Sequence, residues 1–168
     1  MSQYGAKSRV IPDSFRFAAD HRSIEGEIPV RALERLADQL VESDGVVGYR
    51  IDGALGDDRK PRLSVTIEGL LKLRCQRCLG GYDWKLDVVT VLQPVRPGQE
   101  IPDDELEDDE IDAVEVDGEL DVSALVEDEI LLALPIAPRH VECEPPRPED
   151  GAEKESPFSV LAGLRGRK

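Results

Sequence analysis

The sequence predicts an α+β domain: an antiparallel β-meander with two packed helices, a zinc knuckle, a mobile acidic loop and a flexible C-terminal tail. Three observations predict it. Apolar and polar residues alternate in three runs between Val47 and Leu92, as half-buried antiparallel strands with one wet face require. Apolar residues at helical spacing mark two other segments, 30–40 and 122–133, each one-sided and in need of a packing surface. All three cysteines fall in two short pairs, Cys75-Gln76-Arg77-Cys78 and His140-Val141-Glu142-Cys143. Three thiols and one imidazole at this spacing match a structural zinc site with three cysteine ligands and one histidine.

A chain of 168 residues makes one domain of ordinary size, here residues 1–143, with a flexible linker over 144–156 and a docking segment over 157–168. Only three Phe, three Tyr and one Trp are present, so Leu, Val and Ile must build the core. Residues 1–28 show no clear periodicity, although residues 9–12 and 14–17 suit a short strand. Pro29 suits the first turn of a helix, and Val30, Leu33, Leu36, Ala37 and Leu40 form the apolar side of about three turns, ended by Ser43-Asp44-Gly45. Val47, Tyr49 and Ile51 then alternate with Gly48, Arg50 and Asp52. Leu63, Val65 and Ile67 continue the pattern after the 56–61 turn, and Tyr82, Trp84, Leu86 and Val88 resume it. The first cysteine pair lies at the tip between the second and third of these strands.

Pro94, Pro97 and Pro102 are expected to end regular structure, and the acidic loop at about 97–112 is expected to be solvated and mobile. Residues 113–116 re-enter as a strand. Asp121 caps the second helix, which Val122, Leu125, Val126, Glu129, Ile130 and Ala133 mark and Pro135 stops. From Glu144 the composition turns to Pro, Glu and Gly, as in a linker. Phe158, Leu161 and Leu164, followed by Arg165, Arg167 and Lys168, then form an apolar segment with a basic end, the pattern of a docking peptide.

The net charge of −15 is a local property. Residues 100–129 hold 16 acidic residues and no Lys or Arg, while the remaining 20 acidic residues face 21 basic ones. Such an acidic arm on a near-neutral body suits a basic protein partner. No segment offers the roughly 18–20 apolar residues of a spanning helix, nor an N-terminal secretory signal. The chain therefore reads as cytoplasmic, with neither membrane nor DNA as partner. In a reducing compartment three cysteines do not make a disulfide framework, which strengthens the metal reading of Cys75, Cys78, His140 and Cys143.

Against that reading stands a plainer one, in which the cysteines are small core residues and His140 an exposed loop residue. The paired spacing and the turn setting favour the metal. A thioredoxin-like role for Cys75 and Cys78 lacks the flanking βαβ pattern. Four protein ligands leave no open position for a catalytic water, so a processing enzyme is the least favoured alternative. Phosphate loops, serine-hydrolase elbows and metalloprotease helices are missing from the sequence, and the acidic run singles out no carboxylate pair for acid–base chemistry. Lys72, Arg74, Arg77 and Lys85 cluster near the knuckle, with Tyr82 and Trp84 close by. A direct RNA-binding module is therefore the alternative function, although both aromatics also fit the core.

The motifs Cys75-Gln76-Arg77-Cys78, Val126-Glu127-Asp128-Glu129-Ile130-Leu131-Leu132-Ala133-Leu134-Pro135 with Pro138 and His140, and Pro157-Phe158-Ser159-Val160-Leu161-Ala162-Gly163-Leu164 resemble the YceD family. Its members are bacterial and plastid proteins associated with accumulation of large-subunit ribosomal RNA. The resemblance implies a ribosome-biogenesis factor, not an enzyme, that supports synthesis, processing or stability of 23S ribosomal RNA. It also implies large-subunit RNA or its precursor particles as partners. A basic ribosomal protein or assembly factor would meet residues 100–129. The resemblance assigns no RNA-contacting residue.

Overall fold

The computed structural model describes residues 10–99 and 111–146, and the fold is mixed α+β, mostly sheet. The three alternating runs are its long strands: β4 (Val46–Leu55), β5 (Pro61–Arg74) and β6 (Gly81–Val95). β5 pairs antiparallel with β4, with Ile51 opposite Val65, and with β6, from Leu63 opposite Leu92 to Arg74 opposite Gly81. Val47 and Ile51 of β4, Leu63, Val65, Ile67, Leu71 and Leu73 of β5, and Leu86 and Leu92 of β6 are buried, as a period of two on a one-sided sheet dictates. Each such side chain withdrawn from water contributes about 1.5–3 kcal/mol.

Five further strands were only partly legible. β2 (Ser23–Pro29) pairs antiparallel with β4 and forms one edge of the sheet, within a region whose sequence shows no clear periodicity. Ile24, Gly26 and Ile28 do alternate there with Glu25 and Glu27, but the central glycine erases the apolar signal. β3 (Leu40–Glu42) pairs with the far end of β5. β7 (Asp112–Glu115) forms the other edge and runs parallel to β6. β1 (Val10–Ile11) and β8 (Leu120–Asp121) make a separate two-stranded ribbon. Pro94 does not end β6. The pairing to β5 stops at Leu92, so the residue without an N–H sits where the strand has a single neighbour, β7.

The two predicted helices fare differently. α1 (Ser14–Ala19) replaces the strand expected over 14–17; the Asp13 carboxylate accepts the Arg16 N–H at 2.9 Å, and Ser14, Phe17 and Ala18 are buried at the i, i+3, i+4 spacing of a helix. The three-turn helix expected over 30–40 is instead two 3₁₀ segments, Val30–Ala32 and Glu34–Gln39, running into β3. Val30, Leu33 and Leu36 repeat every third residue and are buried, whereas Ala37 is exposed. Strict three-residue spacing stacks side chains on one face of a 3₁₀ turn and drifts off the face of an α-helix. α2 (Val122–Ala133) begins where expected, its Ser123 and Ala124 N–H groups capped by Asp121.

α2 is fastened to the 3₁₀ segment by Arg35. The Glu127 carboxylate, almost wholly buried, accepts both the Arg35 backbone N–H and its Nε–H at 2.7 Å, and Asp128 accepts from Nη1 at 2.6 Å. Val122, Leu125, Val126 and Ile130 join the sheet's inner face, α1 and the 3₁₀ residues in one core. The expected acidic loop lies mostly outside the described residues, as do most of the linker and all of the docking segment. Among the described residues no helix is long and apolar enough to cross a membrane.

α1 lies so close to β4 that a Cβ on Gly53 would stand 2.7 Å from the Phe17 carbonyl oxygen and 2.8 Å from the Ala18 Cα. Gly53→Ala is therefore expected to cost about 1–3 kcal/mol through overpacking. Gly48→Ala, on the same strand with its nearest atom at 3.7 Å, is expected to be tolerated. Denaturant unfolding of both variants checks the contrast, and equal midpoints would contradict the packing of α1.

Candidate metal centre

The β5–β6 tip folds on its own hydrogen bonds. The Cys75 N–H donates to the Gly80 carbonyl at 2.8 Å, and the Leu79 N–H to the Cys75 carbonyl at 2.9 Å. Leu79 takes a left-handed φ of 63° to turn the chain, a conformation that non-glycine residues seldom adopt. After α2, Pro135 prevents continuation of the helix and the chain returns across this tip. The Gln76 N–H donates to the Pro138 carbonyl at 2.7 Å, which aligns the second pair with the first.

The two halves meet. The donor atoms of Cys75, Cys78, His140 and Cys143 all lie within 4.8 Å of one another. The Cys75 and Cys143 sulfurs are 3.7 Å apart, and the Cys78 sulfur is 3.4 Å from His140 Nδ1. Tetrahedral zinc with Zn–S bonds of about 2.3 Å sets two sulfurs about 3.8 Å apart, and a sulfur and an imidazole nitrogen about 3.6 Å apart. The donor set fits. The far ring nitrogen, His140 Nε2, lies 3.2 Å from the Gly81 carbonyl, which as an acceptor places the ring proton on Nε2 and leaves the Nδ1 lone pair facing the sulfurs. A carbonyl acceptor behind a ligating histidine fixes ring and tautomer in this way. Tyr82 packs on the same ring, centroid to centroid 5.2 Å.

Electrostatics at the cluster favour one thiolate before the others. Burial opposes ionisation of Cys75, but the backbone N–H groups of Cys78, His140 and Arg77 and the His140 ring outweigh it and bring this thiol down to about 5. At Cys78 the Gly80 N–H favours the thiolate, yet burial and the Cys75 and Cys143 sulfurs leave the thiol above its ordinary value. Hydrogen bonding to the Cys75 and Cys143 sulfurs raises His140 against the effect of burial. A bound dication would favour all three thiolates and a neutral imidazole.

One protein family, described as large ribosomal RNA subunit accumulation protein YceD, matches residues 63–165. The chain belongs to the YceD family. A YceD protein of Haemophilus influenzae, named a large ribosomal RNA subunit accumulation protein, is 32% identical over 154 residues, covering 83% of this chain and 86% of its own. No solved structure matches the chain. The stretch matched to YceD begins in β5 and includes all four cysteine and histidine positions.

The basic residues of the alternative RNA reading do not form a free patch. Lys72 pairs with Glu42 at 3.1 Å and Lys85 with Asp87 at 2.9 Å. Arg77 turns its guanidinium to the Cys143 sulfur at 3.0 Å. Of the four, only Arg74 has no partner among the described residues. Lys72 lies on a central strand, not at an edge. Tyr82 and Trp84 pack partly buried against the core. The Arg77 contact was not apparent from the sequence; its place inside the first pair, one residue from Cys78, was the available signal.

In metal-stripped protein, thiolate absorbance is expected to keep a component that is lost only as pH falls through about 5. The sign follows from the shift: a thiol held below its ordinary value of about 8.5 stays ionised across the interval between the two. Cys75→Ser should remove that component. A single midpoint in the ordinary thiol range would contradict the hydrogen bonding at Cys75.

Proposed function

We propose that this chain supports accumulation of large-subunit ribosomal RNA as a non-enzymatic binding protein of the cytoplasm. The observation that carries the reading is the match to the YceD relative along most of both chains, together with that relative's name. Synthesis, processing or stability of 23S ribosomal RNA is the step it would assist. Residues 1–143 would act as one domain, with 144–156 as linker and 157–168 as a docking segment. The acidic sequence over 100–129 would meet a basic ribosomal protein or assembly factor. Within it Glu127 and Asp128 hold Arg35, and Asp121 caps α2, so these three carboxylates already have roles within the chain.

Cys75, Cys78, His140 and Cys143 would hold a structural zinc ion. Four protein donors saturate a tetrahedral ion and leave no position for a reacting water, which favours a staple over a processing enzyme. Direct RNA binding through Lys72, Arg74, Arg77 and Lys85 is the weaker reading, because three of the four already have partners within the chain. It predicts an RNA affinity that falls steeply with salt, with a slope that charge reversal at Arg74 and Arg77 flattens.

Two experiments test the proposal. Depletion of the protein should lower the large-subunit peak on a sucrose gradient relative to the small-subunit peak; an unchanged ratio would sink the ribosomal reading. Metal analysis should give one zinc per chain, lost in both Cys75→Ser and Cys143→Ser, since either change leaves three donors. If one variant alone loses metal, the two pairs do not make one site.

A further inference from the structure

The sulfurs of the cluster are not supported alike. The Arg77 backbone N–H donates to the Cys75 sulfur at 3.4 Å. The Cys143 sulfur instead takes its donor from a side chain, the Arg77 Nε–H at 3.0 Å, while Nη2 of the same guanidinium donates to the His140 carbonyl at 3.4 Å. Arg77 belongs to the first pair by sequence and grips the second pair twice. Among the described residues it has no carboxylate partner, unlike Arg35, Arg50 and Arg62.

Charge gives this contact a purpose. Zinc with three thiolates and a neutral imidazole carries a net charge of about −1. Here that surplus lies in a partly buried site, where an unpaired charge is costly. A guanidinium is permanently cationic and presents several N–H groups in one plane. We propose that Arg77 is a positioning residue of the zinc site. It neutralises the surplus charge through the Cys143 thiolate, locks the second pair onto the first, and lowers the reactivity of Cys143. This deepens the zinc reading above and rests on it.

The test uses the full chain loaded with zinc, comparing wild type with Arg77→Ala, Arg77→Gln, Arg77→Lys and Arg74→Ala. Zinc transfer to a coloured chelator and the rate of Cys143 alkylation, located by mass spectrometry, are the two readouts. Arg77→Ala and Arg77→Gln should weaken zinc retention by about ten- to a hundred-fold, as loss of an outer-shell partner commonly does, and should expose Cys143 to alkylation first among the thiols. Arg77→Lys, which restores the charge, should recover most of the loss, and Arg74→Ala should match wild type. If Arg77→Ala fails to fold, the glutamine variant decides, because it keeps a donor of similar reach without the charge. Arg77→Gln releasing zinc at the wild-type rate would overturn the inference while leaving the zinc site standing. A wild-type protein that holds no zinc would overturn both. Loss of RNA binding with unchanged zinc release would assign Arg77 to RNA instead.

Discussion

The pairing of β5 with β6 is the constraint on which the rest of the structure depends. Its register, from Leu63 opposite Leu92 to Arg74 opposite Gly81, turns Leu71, Leu73 and Leu86 to one face, where they are buried. A slip of one residue would reverse every side chain on the slipped strand. β4 and β3 add to the free side of β5, and β7 adds to β6. α2 closes the inner face with Val126 and Ile130, both fully buried. The same hairpin sets the distance between Cys75 and Gly81, and so prepares half of the Cys/His cluster before the second half arrives.

That second half arrives from far along the chain. Cys143 follows Cys75 by 68 residues, and bringing such distant segments together costs loop entropy that grows slowly with length. Two contacts offset it before any metal is considered. Arg35 on the buried Glu127 carboxylate fixes α2, and the Gln76 N–H on Pro138 fixes the segment beyond it. The exposed ion pairs of the outer sheet face, such as Arg50 with Asp52, add little by comparison. A metal bound at the cluster would add its binding free energy to the folded state alone.

Local order was legible in the sequence where the period was unambiguous. The strands between Val47 and Leu92 show strict alternation, and α2 has an aspartate cap, an apolar stripe and a terminal proline. Residues 30–40 misled because a spacing of three was read as helical, although Ala37 is exposed and Val30, Leu33 and Leu36 stack on a 3₁₀ turn. β2 was hidden by Gly26. The parallel placement of β7 depends on the route of the chain after Val95, which no local period records. At the candidate metal centre the clustering of Cys75, Cys78, His140 and Cys143 was legible from spacing, since a paired motif needs little beyond itself. Which nitrogen of His140 faces the sulfurs, and where the Arg77 guanidinium points, depend on contacts with residues some 60 positions away.

β6 also separates two features that lie side by side along the sequence. The cysteine tip joins it at Gly81, and the chain that carries the acidic run leaves it at Val95. Fifteen residues of extended strand span up to about 50 Å. The acidic sequence therefore departs from the end of the sheet opposite the cluster, although the cysteine pairs bracket it along the chain. β6 serves as a spacer between the cysteine tip at Gly81 and the point where the chain leaves the sheet at Val95.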